Sequence, residues 1–197
     1  MFPNSIQNLI NLLSRLPGLG QRSAARLAIW LLNQPAEDLN NLAIAISNLK
    51  TQTNVCQTCF NLVSNGDQFC SICADKGRDH STICIIEDAL DIIPIEKTKC
   101  YRGVYHILGG TLAPLDGIGP DKLRIRELLV KIKNNPPKEI ILALDSTTEG
   151  DTTILYLERT LKPFNLKITR LGRGLSTGSD LEYADEATLS NAFAGRK

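Results

Sequence analysis

The sequence has almost no excess of charge of either sign, with 22 Lys and Arg residues against 21 Asp and Glu residues and a net charge of +1. A nearly neutral surface cannot capture a polyanion over its whole extent, so any nucleic-acid contact must come from a local basic patch. No apolar run approaches the roughly 20 residues that span a bilayer, and MFPNSIQNLI has no basic flank of the kind found in secretory signals. We therefore expect a cytoplasmic protein without membrane contact.

Two kinds of catalytic site also find no support in the sequence. No G-x-x-x-x-G-K-[ST] pattern occurs, so a P-loop for nucleotide hydrolysis is absent. His106 lies in an apolar strand pattern, which is typical of a core or edge histidine and not of the base in a nucleophilic triad. The glycine-rich segment LGRGLSTGSD is interpreted as a flexible loop after the fourth predicted strand. Arg170, just before it, and Arg173, within it, could contact phosphate.

Four of the six cysteines form two C-x-x-C pairs separated by ten residues, with Asn65-Gly66-Asp67 as the predicted turn of the connecting hairpin. This spacing is typical of a closed tetrahedral zinc site, in which the metal is structural because no position is left for water. Redox-active pairs are the alternative, disfavoured because neither pair opens a helix after a strand. Cys84, within ICII, is interpreted as a small buried hydrophobe. The predicted Zn²⁺ ligands are Cys56, Cys59, Cys70 and Cys73.

The N-terminal segment has the apolar spacing of helices. A first helix is predicted from a Ser5 cap to Leu16, a second from Gln21 to Pro35, and a third carries Leu39 and further apolar residues on one face. The segment LPGLG is then a short turn between two packed helices.

This turn resembles a helix-hairpin-helix motif, which implies contact with the DNA backbone. Glycines let backbone N–H groups approach a phosphate, and the next helix adds its N-terminal dipole. Residues 1–50 carry four bases and two acids, a small positive surplus. An αα-turn with glycine caps is the alternative. The predicted DNA-binding residues are Gly18, Gly20, Arg22 and Arg26.

From residue 82 short apolar segments alternate with helical ones, which is typical of a largely parallel sheet with crossover helices. The predicted strands are ICII, GVYHIL, EIILAL and LKITRL, and the predicted helices cover 88–98, 121–133 and 151–162. Pro94 lies inside the first of these helices and should kink or shorten it. The expected fold class is multidomain α+β, with N-terminal helices, a zinc knuckle and an α/β domain around a mostly parallel sheet.

Acidic residues follow two of the predicted strands, at the sheet edge where ligands collect. They resemble the carboxylates of the Toprim domain, which in its catalytic members binds metal ions for phosphoryl chemistry. Thr147 stands where the second Asp of the D-x-D pattern is expected, so a Mg²⁺ site is doubtful, and helix N-terminal acids or a protein-binding surface are the alternatives. The acids concerned are Glu87, Asp145, Glu149 and Asp151.

The order of these elements resembles the RecR family of bacterial recombination mediators. The resemblance rests on LPGLGQRSAARLA, the cysteine pairs, RDHSTICIIED, YHILGGTLAPLDGIGPDKLRI, TTEGDTT and LEYADEATLSNAFAGR. The sequence departs from the family pattern at Asp145, where Asn is expected, and at Pro94, which lies within a predicted helix. It implies a helix-hairpin-helix region at 1–53, a four-cysteine zinc finger at 54–78, a Toprim domain at 79–175 and a C-terminal extension at 176–197.

The resemblance also implies a function. It is that of a non-enzymatic DNA-binding protein of recombinational repair, associated with the nucleoid when bound to DNA. Its partners would be RecO and RecF, with which it would help to load RecA at single-stranded gaps as a ring-like oligomer. The competing interpretations are a Toprim nuclease or primase-like enzyme that uses the acids with Mg²⁺, and a protein-binding adaptor whose hairpin is only structural.

Overall fold

The computed structural model describes residues 2–196, which divide into two compact units with the boundary between Thr53 and Asn54. The first unit contains three helices, α1 (Asn4–Leu13), α2 (Gln21–Leu32) and α3 (Ala36–Gln52). Its small core joins α1 to α2 through Ile10, Ala24 and Ala28. None of these described helices, and none in the second unit, is long and apolar enough to cross a membrane.

Helix α1 differs from its prediction at both ends. It begins at Asn4 after Pro3, and no side chain caps it, so the predicted Ser5 cap is wrong. It ends at Leu13, because the N–H groups of Arg15 and Leu16 bond three residues back, to Leu12 and Leu13, and form a turn. The turn continues to Gly20, and α2 starts at Gln21 as predicted.

A small two-stranded sheet of β1 (Thr53–Val55) and β2 (Leu62–Ser64) begins at the unit boundary, and the short helix α4 (Ser71–Ala74) follows it. The Asn65-Gly66-Asp67 turn is present, with Gly66 at a φ of 100°. It follows β2 and leads to the second cysteine pair, whereas the residues between β1 and β2 contain the first pair.

A four-stranded sheet forms the rest of this unit. Its strands are β3 (Asp79–Ile86), β4 (Gly103–Ile107), β5 (Glu139–Leu142) and β6 (Lys167–Arg170), in the order β4-β3-β5-β6. All neighbouring pairs are parallel, as the alternating pattern predicted. The helices are α5 (Ile92–Lys97), α6 (Ile125–Asn134), α7 (Thr148–Leu161) and α8 (Glu186–Ala194).

Both faces of this sheet are buried, which explains why the second half of β3, residues 83–86, is a continuous apolar run. Ile83 and Ile85 join the larger core with α6 and α7. Cys84 and Ile86 lie in the smaller core with Ile92 of α5. The mixed helical and sheet architecture agrees with the predicted fold class.

The helices of this unit start at different residues from those predicted. A 3-10 turn at Ala89–Asp91 precedes α5, so Pro94 stands in the first turn of a shortened helix, where its missing N–H costs nothing. Helix α6 starts at Ile125 because residues 120–122 form a separate 3-10 turn. Helix α7 starts at Thr148, three residues early, because Thr147 caps it.

Candidate metal centre and nucleic-acid interface

The four cysteine thiols of the predicted metal site lie together. Their Sγ atoms are all within 4.8 Å of one another, and no other His, Cys, Asp or Glu group in residues 2–196 is similarly placed to share an ion. Around a tetrahedral zinc ion with Zn–S bonds of about 2.3 Å, the sulfur atoms are about 3.8 Å apart. The thiols therefore fit such an ion with small adjustments. Three of them are buried and Cys73 is half-buried, as in a closed structural site.

Each cysteine pair is held by a turn of its own. In the first, Phe60 donates its N–H to the carbonyl of Cys56 at 3.0 Å and adopts a φ of 66°, which bends the chain around the thiols. In the second, Cys70 is the N-cap of α4, and its Sγ accepts the N–H of Cys73 at 3.4 Å. Helix α4 has four residues and follows a turn, so this pair differs from a redox pair that opens a helix after a strand.

The thiols cannot all ionise without a cation. Burial would raise the pKa of Cys56, but N–H groups of Cys70, Cys59 and Thr58 lower it to about 7. Hydrogen bonding to Cys73, together with burial, raises the pKa of Cys59 far above its ordinary value. A divalent ion would supply the positive charge that four neighbouring thiolates require.

The remaining two cysteines stand apart from the cluster. Cys84 is buried in the smaller core, as predicted, and burial raises the pKa of its thiol to about 12. Cys100 is exposed. Neither belongs to the metal site.

The acidic residues at the sheet edge are only partly brought together. Glu87 follows β3, and its Oε1 accepts the backbone N–H of Asp145 at 3.0 Å. Burial, then the charges of Asp145 and Asp91, raise the pKa of Glu87, while the N–H of Asp145 lowers it. These two acids therefore share a site, without a third carboxylate in the described residues to complete a metal-binding group.

The other two predicted acids lie in the first turn of α7. Thr147 is the N-cap, and its Oγ1 accepts the N–H of Gly150 at 3.0 Å. Asp151 forms an ion pair with Arg173, with Nη1 donating at 3.1 Å, and this guanidinium lowers the pKa of the carboxyl. Glu149 and Asp151 are thus placed to interact favourably with the helix dipole.

The two arginines proposed for phosphate contact, at the end of β6 and just beyond it, are both hydrogen-bonded to acidic side chains. Arg170 donates two hydrogen bonds to Glu158, at 2.8 and 2.7 Å, and Arg173 is held by Asp151. A phosphate would have to compete with these carboxylates.

The helical turn presents the predicted DNA-binding residues on the surface. Gly18 has a φ of +79°, a conformation that side chains rarely adopt. Gly20 is the N-cap of α2, with a φ of −77°, a value that residues other than glycine also adopt. An added Cβ at either glycine would meet open space, which leaves room for a ligand to approach the backbone.

Arg22 and Arg26 are exposed one turn apart on α2. Within residues 2–196 neither forms an ion pair with an acid. The turn, the start of α2 and two unpaired guanidinium groups together make a surface suited to phosphate.

Curated relatives cover essentially the whole chain. The Recombination protein RecR of Moorella thermoacetica is 48% identical over 195 residues, 99% of this chain and 97% of that protein. Those of Nocardioides sp. and Gloeothece citriformis are 48% and 46% identical, over 100% of this chain and 98% of each relative. The chain belongs to the RecR family.

Family models describe the parts of this RecR-family chain. The model for the RecR helix-hairpin-helix matches residues 6–50, the Toprim domain model matches 81–172, and the RecR C-terminal model matches 174–197. The resemblance inferred from the sequence is thereby confirmed. The cysteine pairs lie between the first two matched segments.

Some contacts in this RecR-family chain were not found from the sequence. Arg78, after the second cysteine pair, donates to Glu96 of α5 at 2.9 Å, and Glu96 also accepts the hydroxyl of Tyr105 at 2.6 Å. Lys131 of α6 donates a hydrogen bond to the carbonyl oxygen of Thr58, which lies between the first two cysteines of the cluster. The sequence shows that Lys131 lies beside the apolar stripe of an amphipathic helix, but it does not indicate the partner of this lysine.

Proposed function

We propose that the chain is a DNA-binding protein of recombinational repair that acts without catalysing a reaction. The observation that carries this proposal is the exposed turn at Gly18 and Gly20 beside Arg22 and Arg26, since these guanidinium groups have no acidic partner in the described residues. Contacts of this kind recognise the phosphate backbone with little sequence preference. The names of the relatives, all recombination proteins, support the biological setting.

The arrangement of the acidic residues at the edge of the sheet supports a non-enzymatic role. The position that would supply a further carboxylate is Thr147, which caps α7, and Asp151 is neutralised by Arg173. Glu87 and Asp145 then remain as a pair suited to a protein partner or to weak Mg²⁺ binding. RecO and RecF are the proposed partners, with the loading of RecA at single-stranded gaps as the outcome.

A structural zinc ion is the proposed occupant of the cysteine cluster. Four closely spaced thiols and no open ligand position favour zinc over a catalytic metal. The ion would tie the two turns of the knuckle together and supply folding free energy to a segment with few buried residues of its own.

Self-association into a ring-like clamp is supported by uncovered apolar surfaces in each unit. In the first unit, α1, α2 and α3 line an open groove of about 390 Å³, with Leu42 and Ile46 of α3 exposed. In the second, the C-terminal segment exposes Leu181, Tyr183 and Phe193. Large exposed apolar patches mark interaction sites. Two different self-complementary patches on one chain can close an assembly into a ring.

A ring would also explain how a chain with almost no net charge could bind DNA. Each chain is nearly neutral, but a basic turn repeated in every subunit raises the effective affinity through multivalency. A cytoplasmic, nucleoid-associated location follows from this proposed role.

Incubation of the purified protein with gapped duplex DNA and Mg²⁺ tests the proposal. We expect DNA to be retained, with affinity that falls steeply as salt rises, and to remain uncut. Nicking that requires Mg²⁺ and is lost in Glu87→Gln would overturn the non-enzymatic role in favour of a Toprim nuclease. Absence of DNA binding at low salt would instead favour the protein-binding adaptor.

A further inference from the structure

Lys131 occupies an unusual position for a lysine. It lies on α6 next to Ile132, which is fully buried in the larger core, and is itself half-buried. Its Nζ donates to two backbone carbonyl oxygens, of Thr58 and Tyr105, each at 3.4 Å. No acidic side chain in residues 2–196 forms an ion pair with it. A partly desolvated ammonium is costly unless a nearby negative charge compensates it.

The cysteine cluster is the group that can supply this negative charge. Thr58 lies between the two ligands of the first C-x-x-C turn, so the ammonium binds the backbone of the turn that supplies Cys56 and Cys59. The pKa of Lys131 lies below its ordinary value, because burial lowers it more than the nearby cysteine thiols raise it. Four thiolates around Zn²⁺ leave a net charge of −2, which a neighbouring ammonium would reduce.

We propose that Lys131 is a positioning residue for the metal centre, which fixes the Cys56–Cys59 turn through the Thr58 carbonyl and offsets the negative charge of the thiolates. The inference rests on the zinc assignment proposed above. It makes α6 of the Toprim domain part of the metal site, because groups outside the ligand shell orient the ligands and tune metal affinity.

The test compares zinc affinity in full-length variants by competition with a chromophoric chelator at fixed pH. Lys131→Met removes the charge and both hydrogen bonds, Lys131→Gln keeps a donor without the charge, and Lys131→Arg keeps the charge. Lys133→Met, at an exposed position of the same helix, is the matched control. We expect a loss of affinity of about tenfold or more in Lys131→Met, which is the range seen when such outer groups are removed. A smaller loss is expected in Lys131→Arg and none in Lys133→Met.

A second measurement separates this role from simple packing. Thermal unfolding is recorded for each variant with zinc and after its removal, and the proposal requires the effect of Lys131→Met to be larger in the zinc-loaded protein. An equal effect in both states, or unchanged zinc affinity in both Lys131→Met and Lys131→Gln, would overturn it. If Lys131→Met does not fold, Lys131→Gln and Lys131→Arg decide the outcome. A wild-type protein that holds no zinc would overturn the zinc assignment as well, whereas zinc bound equally by all variants would overturn only the role of Lys131.

Discussion

Ile107 donates its backbone N–H to the carbonyl oxygen of Cys59 at 2.9 Å, so a predicted zinc ligand is hydrogen-bonded directly to strand β4 of the Toprim sheet. Strand β4 is an edge of that sheet. Phe60, the next residue after Cys59, packs against the smaller core, with its ring 5.4 Å from that of His106. Exposed edge strands are templates for aggregation, and the knuckle covers part of this one.

Removal of a zinc ligand should therefore destabilise the neighbouring Toprim sheet as well as the four-cysteine segment. We expect Cys59→Ala to lose zinc and to lower the free energy of unfolding by more than about 4 kcal/mol, since loss of a metal is among the few single changes of that size. Metal content and thermal unfolding of the purified variant measure both effects. Cys100→Ala removes an exposed cysteine outside the cluster and should change neither. Full zinc content in Cys59→Ala would show that the cluster is not the binding site.

Removal of the two exposed arginines beside the Gly18–Gly20 turn should cause a specific loss of DNA affinity. Arg22→Ala combined with Arg26→Ala should weaken DNA binding and reduce the slope of log affinity against log salt by about 2, because each phosphate contact contributes about 1. Fluorescence anisotropy across a salt series measures both quantities.

The control for this experiment removes the same charge elsewhere. Arg159 and Lys162 are exposed and form no ion pair within the described residues. Their double alanine variant should retain affinity close to that of the wild type. Equal losses in the two double variants would indicate a general charge effect and not a contact at the turn.

The two glycines of the turn should respond differently to alanine. Gly18→Ala should cost about 1–2 kcal/mol of stability, because a Cβ is strained at a φ of +79°. Gly20→Ala should leave stability unchanged, since its φ of −77° suits any residue and the added Cβ meets open space. If DNA approaches this backbone, Gly20→Ala lowers affinity without lowering stability, and the pair of measurements separates fold from contact.

Much of this architecture was accessible from the sequence. Short apolar runs predicted all four strands of the parallel sheet, and the spacing of the cysteines predicted a cluster that the structure brings within 4.8 Å. Both signals are local, since strand burial and C-x-x-C turns are set by neighbouring residues.

Features that depend on single hydrogen bonds were predicted less well. The Ser5 cap was wrong because Pro3 already directs the chain into α1. The start of α7 differs from its prediction because Thr147, which the D-x-D pattern marks only as a missing carboxylate, is the N-cap of this helix. The contacts of Lys131 and Glu96 join residues distant in sequence, and no local pattern specifies such pairs.

The contact between Arg78 and Glu96 predicts a pH dependence of stability. The Arg78 guanidinium holds the pKa of Glu96 below its ordinary value, opposed by burial and assisted by the Tyr105 hydroxyl. Because the folded-state pKa is the lower one, this carboxylate stabilises the protein above the ordinary pKa of glutamate, about 4.3, and loses that effect as the pH falls through the folded-state value.

Glu96→Gln should therefore be less stable than the wild type at pH 7, and the difference should shrink towards zero on acidification below about pH 4. Chemical denaturation at a series of pH values measures it. Glu182→Gln, at an exposed residue, provides the comparison. A difference that is constant with pH would show that the glutamine disturbs packing and not the ion pair.

The open groove of the first unit predicts how the protein self-associates. Ile46 of α3 lines this groove and is 61% exposed, an unfavourable position for an isoleucine unless another surface covers it. Ile46→Glu should place a charge in the interface and shift the protein to a smaller species by light scattering after size exclusion. Asn41→Glu adds the same charge at an exposed site on the opposite side of α3, because five residues of helix turn the chain by about 140° from Ile46. Its oligomeric state should match the wild type. If Ile46→Glu keeps the mass of the wild type, the groove is not an interface, and only the C-terminal segment remains to support a ring.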